Sequence, residues 1–151
     1  MESSRMDTSS PARLYALTVG AVLTIAGIIG FFYNASFAVG NDINASDPVF
    51  GLLAVNAWHN IVHILTGLLG LLAAGYAART YALGLGLVYL LVAFLGFIEF
   101  GTGDLNDTIL QFIPTNTEDN FLHLALGLLG LAAGAASPKD TRERPAAATT
   151  A

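Results

Sequence analysis

The chain has three histidines, His59, His63 and His123, and no cysteine. Thiolate ligands and thiol nucleophiles are therefore excluded, and any metal chemistry must run through imidazole and carboxylate. His59 and His63 are four residues apart, so on a helix they share one face. His123 sits in a second stretch that reads like the first. Asn56-Ala-Trp-His-Asn-Ile-Val-His63 leads into Gly67-Leu-Leu-Gly-Leu71, and Asn116-Thr-Glu-Asp-Asn-Phe-Leu-His123 leads into Gly127-Leu-Leu-Gly-Leu131. Asn56 matches Asn116, Asn60 matches Asn120 and His63 matches His123, but His59 faces Asp119 in the alignment. That divergence suits a His–Asp pair formed between two repeats. His59, His63, Asp119 and His123, with Glu99 or Glu118 nearby, are the ligand types of zinc or another borderline divalent ion. The same groups also suit proton binding, a hydrogen-bonded staple between helices, or a quinone pocket. A haem held by His63 and His123 is a further reading. Its propionates would seek Lys or Arg on the loop side, and segments 34–56 and 99–118 contain neither.

Several elements must position these groups. Asn56 and Asn116 fit helix N-caps, and Asn116 with Asp119 fits a capping box. Only 11% of the residues are charged and 54% are hydrophobic, against about 25% charged in a soluble domain. Leu14 to Tyr33 carries no charge and is long enough to span a bilayer. A cleaved leader ending near Ser36-Phe-Ala38 is the competing reading. The apolar run is too long for one, and it has an internal copy. Ala12-Arg-Leu-Tyr-Ala-Leu17 matches Ala78-Arg-Thr-Tyr-Ala-Leu83, and Gly20, Gly30 and Phe31 match Gly86, Gly96 and Phe97. The loops align too, Asp47–Asn56 with Asp107–Asn116.

The expected fold is an all-α polytopic membrane protein, a four-transmembrane-helix bundle of two parallel helix–loop–helix repeats. The spans fall near 13–33, 57–76, 79–98 and 119–136. Residues 1–10 form an N-tail, 11–77 the first repeat, 78–136 the second and 137–151 a disordered C-tail. Gly67, Gly70, Gly127 and Gly130 read as helix-packing positions, because small residues let helices approach in lipid. The apolar runs Val49–Val55 and Ile109–Ile113 read as interfacial or re-entrant caps on the loops, and Trp58 as an interface anchor.

The charges give an orientation. Arg5, Arg13, Arg79, Lys139, Arg142 and Arg144 lie in the tails and the central turn, whereas Asp42, Asp47, Glu99, Asp104, Asp107 and Glu118 lie in segments 34–56 and 99–118. The positive-inside rule then places both tails in the cytoplasm of a multi-pass cell-membrane protein, with the His/Asp cluster opening outward. No nucleophile–base set, P-loop or nucleotide fingerprint is present, so the chain reads as non-enzymatic. The absence of an outer basic patch speaks against nucleic acid. The bilayer is the expected partner, together with a second copy or another membrane protein, since four short spans bury little alone.

The pattern Asn56-x-x-His59-Asn60-x-x-His63-x-x-x-Gly67-x-x-Gly70, then Ala78-Arg79-x-Tyr81-Ala82-Leu83 to Gly96-Phe97, then Asn116-x-x-Asp119-Asn120-x-x-His123-x-x-x-Gly127, resembles a prokaryotic family. It is the small four-span integral-membrane family catalogued as domain of unknown function 4383. The resemblance covers about residues 12–136. It implies a four-helix membrane protein and assigns no activity to any residue.

Overall fold

The computed structural model describes residues 10–44, 47–99 and 108–140, the side chains of Asn41 and Glu99 excepted. These residues form an all-helical fold with α1 (Pro11–Tyr33), α2 (Ala57–Ala73), α3 (Ala78–Glu99) and α4 (Thr117–Ala135). Ser10 caps α1 by accepting from the Arg13 amide, and Pro11 takes the first helical position, where a missing N–H costs nothing. The second helix is shorter than the expected 57–76. It stops at Ala73 because the chain reverses over residues 74–77 and re-enters as α3, with the Ala77 amide bonded to the Ala73 carbonyl. Arg79 accordingly sits in the first turn of α3, not in the turn itself.

α1 packs antiparallel on α2, and α3 antiparallel on α4. The approach is close. A Cβ on Gly20 would press on the backbone of Gly67 and Leu71, and one on Gly86 would press on Gly127 and Leu131. At the far end of each pair the contact is with a carboxamide. A Cβ on Gly30 would collide with Asn60, and one on Gly96 with Asn120. The two pairs meet around Tyr15, Ala16, Val19, Ala82, Leu85 and Tyr89, which are buried. Two phenols cross this seam. Tyr15 donates to the Leu126 carbonyl at 2.9 Å, and Tyr81 donates to the Thr66 carbonyl at 3.0 Å.

The outward faces are apolar. Val22, Ile25, Leu69, Leu72, Leu87 and Leu129 are among many large hydrophobic side chains left exposed along the helices. By length and composition, Pro11–Tyr33 and Ala78–Ile98 can cross a membrane, while Ala57–Ala73 is a shorter apolar helix.

The loops close in tight reversals. Val49 pairs with Leu53, and strand β1 (Thr108–Ile109) pairs antiparallel with β2 (Ile113–Pro114). Both reversals use two successive positive φ angles, at Phe50 and Gly51 and at Leu110 and Gln111. This is the sense of turn that matches the twist of an antiparallel pair. The apolar runs expected to cap this end thus form hairpin tips, with Phe50 and Leu110 exposed. At the opposite end, where α1 and α3 begin, Ser137 and Asp140 stay bonded to the helices although the composition marks a tail from Ser137. Ser137 Oγ accepts from the Ala12 amide at 2.8 Å. The Asp140 carboxylate accepts from the amides of Arg79 and Thr80 and from the Thr80 hydroxyl.

Candidate metal centre

The site is positioned by the first turns of α2 and α4. Asn56 caps α2 by accepting from the His59 amide at 2.9 Å, and its own amide group donates to the Phe112 carbonyl in the other loop at 2.7 Å. Asn116 does the same for α4. It accepts from the Asp119 amide at 2.9 Å and donates to the Leu52 carbonyl at 2.6 Å. Each helix start is therefore fastened to the opposite loop, which fixes the rotation of α2 relative to α4. Asn56 and Asn116 are nearly fully buried, so leaving either carboxamide unpaired is costly.

This rotation brings the three imidazoles together. The ligand nitrogens of His59, His63 and His123 all lie within 4.8 Å of one another. His59 Nε2 and His63 Nε2 are 3.1 Å apart, and the His59 and His123 rings lie 6.2 Å apart. His59 and His123 are buried, with 2% and 5% exposure; His63 is half-buried. Nδ1 of His59 and Nδ1 of His123 are buried without a hydrogen-bond partner. Two nitrogens on one tetrahedral zinc, at 2.0–2.1 Å each, stand about 3.3 Å apart. The His59–His63 spacing is near that value before any ion is bound. The set is three imidazoles.

The remaining predicted residues go elsewhere. Asp119 is buried, but its carboxylate accepts from the Asn116 amide at 3.2 Å, closing the capping box. It also accepts from the Ala54 amide of the other loop at 3.0 Å. Asp119 is thus bonded to backbone on both sides, and the expected His59–Asp119 pair gives way to these bonds. Glu118 is exposed, and the side chain of Glu99 lies outside the described residues. Asn60 donates to the Asn34 carbonyl. The carbonyl oxygens of Asn60 and Asn120 are buried against Gly30 and Gly96. Gly67, Gly70, Gly127 and Gly130 are contact points for Thr24, Tyr81, Leu90 and Tyr15 respectively, and so are packing positions.

One residue beside the site is absent from the sequence reading. Tyr89 packs on His123 with ring centroids 4.9 Å apart, and its hydroxyl is buried without a partner. The available signal was a phenol in the middle of an uncharged apolar run, where polar groups default to a role.

No curated protein and no solved structure matches the chain. A family model does, over residues 13–136, which takes in all three histidines and both Asn caps. The chain belongs to the family described as Domain of unknown function (DUF4383).

Proposed function

We propose that this chain is a four-span membrane protein of two tandem helix–loop–helix units that binds one divalent metal ion at His59, His63 and His123. The observation carrying the metal reading is the convergence of three imidazoles, one ligand nitrogen of each lying within 4.8 Å of the other two. Asp42, Asp47 and Glu118 at the same end favour the approach of a cation.

The membrane reading is supported by the apolar outward faces of all four helices and by two helices of spanning length. The two-unit reading is supported by contacts that recur at aligned positions with partners exchanged: Tyr15 with Leu126 and Tyr81 with Thr66, Asn56 with Phe112 and Asn116 with Leu52. The tails are placed in the cytoplasm by the distribution of Lys and Arg.

A role for the histidines as a staple between the units is less well supported. The His59–His63 hydrogen bond lies within α2 and ties nothing across, whereas the two Asn caps do. A haem between His63 and His123 also fits poorly, since His59 and Tyr89 already pack against these rings.

Elemental analysis of the detergent-purified protein tests the metal. One ion per chain is expected in the wild type. In His63→Ala and His123→Ala it should fall at least about tenfold while helical circular dichroism is retained. Equal metal content in all three preparations would sink the proposal. Because the chain has no cysteine, orientation is open to single-cysteine labelling. Asp47→Cys should react with an impermeant maleimide on intact cells, and Lys139→Cys only after lysis. The reverse pattern would overturn the topology.

A further inference from the structure

The end of the molecule away from the histidines holds a second candidate site. A cavity of about 130 Å³ opens there, lined by Ser10, Arg13, Tyr76, Arg79, Lys139 and Asp140 among others. Its lining thus includes three cationic residues and one carboxylate. That carboxylate is already engaged by the Arg79 amide, the Thr80 amide and the Thr80 hydroxyl, which leaves the lining with a surplus of two positive charges. Arg79 is anchored by its Nε on the Gly134 carbonyl at 3.0 Å.

The arginines stand where a helix by itself disfavours positive charge. Arg13 and Arg79 lie in the first turns of α1 and α3, and neither turn contains an acidic residue. The N-terminal end of a helix carries partial positive charge and repels cations. The Asp140 carboxylate answers this at the start of α3, whereas the start of α1 has only the hydroxyls of Ser10 and Ser137, so the three cations favour a further anion. Beside it, Leu14 and Leu17 are exposed on α1, forming an apolar strip suited to an acyl chain.

From this juxtaposition we infer that the cavity binds a phosphate group, supplied by the headgroup of an anionic lipid. The phosphate chemistry stands on the cavity and its charges, and the lipid source rests on the membrane reading above. Basic pockets between helices at a membrane surface recognise such headgroups.

The test uses the full chain in neutral detergent, with thermal unfolding as the readout. The added probes are short-chain phosphatidylglycerol, short-chain phosphatidylcholine and inorganic phosphate. Phosphatidylglycerol should raise the Tm by several degrees at concentrations at least about fivefold below those at which phosphatidylcholine acts. Lys139→Glu, which reverses an exposed charge, and Arg13→Gln/Lys139→Gln should abolish that preference. A response to phosphatidylglycerol alone assigns the lipid headgroup, while an equal, variant-sensitive response to inorganic phosphate keeps the phosphate site and removes the lipid. No preference between the two lipids, or one that survives in both variants, overturns the inference.

Discussion

α2 and α4 begin alike and part at their third residue. Both are capped by an asparagine that also reaches into the opposite loop. In α4 the third residue is Asp119, which turns back to close its own cap and takes the Ala54 amide of the other loop. In α2 it is His59, whose ring turns towards His63. The loops explain the difference. The position aligned with Ala54 is Pro114, and proline has no N–H to offer. A carboxylate at position 59 would find one donor fewer than Asp119 does. Position 59 is thereby released from capping, and an imidazole there can face its neighbours. One half of the molecule closes the capping box with its third residue, and the other turns that residue towards a neighbouring imidazole.

This comparison can be broken at several points. The halves should respond alike where their contacts are alike. Gly30→Ala and Gly96→Ala each drive a methyl into a buried carboxamide and should each cost about 3 kcal/mol or more, at the upper end of overpacking penalties, in reversible unfolding by denaturant. A large effect in one half only would mean that the pairs are not equivalent. They should respond differently at the third helical residue. Asp119→Ala leaves two buried amides without their acceptor and should cost about 2 kcal/mol. His59→Gln in metal-free protein should cost under about 1 kcal/mol, because no cap is lost. Equal losses would remove the distinction.

A double substitution sharpens it. His59→Asp alone buries a carboxylate short of a donor. Adding Pro114→Ala supplies the amide and should recover about 1.5 kcal/mol, the scale of a hydrogen bond to a charged group. Strictly additive effects in the cycle would mean that residues 59 and 114 do not communicate.

The smallest effect belongs to Asp140. Partial burial would raise its carboxyl pKa, but bonds from Thr80 and Arg79 and the Arg79 charge outweigh this and hold it below the ordinary value. Its contribution is therefore present above the unfolded value of about 3.9 and fades as pH falls through the lower folded one. The group is largely open to solvent, so screening keeps the effect small. The acid limb of a Tm-against-pH curve should flatten slightly in Asp140→Asn, and a steeper limb would contradict the sign.

Much of the frame was legible in the sequence. Leu14–Tyr33 and the run from Ala78 mark two long helices because uninterrupted apolar stretches of that length have few alternatives. The Asn caps were legible from type and spacing, and the matching of His63 with His123 marked the residues that converge. The bonds of Asp119 were not legible. Residue types alone suggest an ion pair with His59, while the true partner is a backbone amide 65 residues away. The informative sign was Pro114 opposite Ala54, a difference in donors and not in side-chain chemistry. The loop turns were hidden for a related reason: Leu110 and Gln111 take positive φ without glycine. The tail composition likewise concealed Ser137 and Asp140, since single well-placed acceptors leave no periodic trace.

The Ser137–Ala12 bond joins residues 125 positions apart, and it sets a condition on how the protein is made. At about 5–20 residues per second, the buried Ala12 amide waits on the order of ten seconds for its acceptor to leave the ribosome. The α3 amides of Arg79 and Thr80 wait for Asp140 in the same way. A chain released before residue 137 therefore carries two helix starts that each lack an acceptor, and such loosened ends are where proteases cut. Residues translated late thus complete the hydrogen bonding of helix starts translated early.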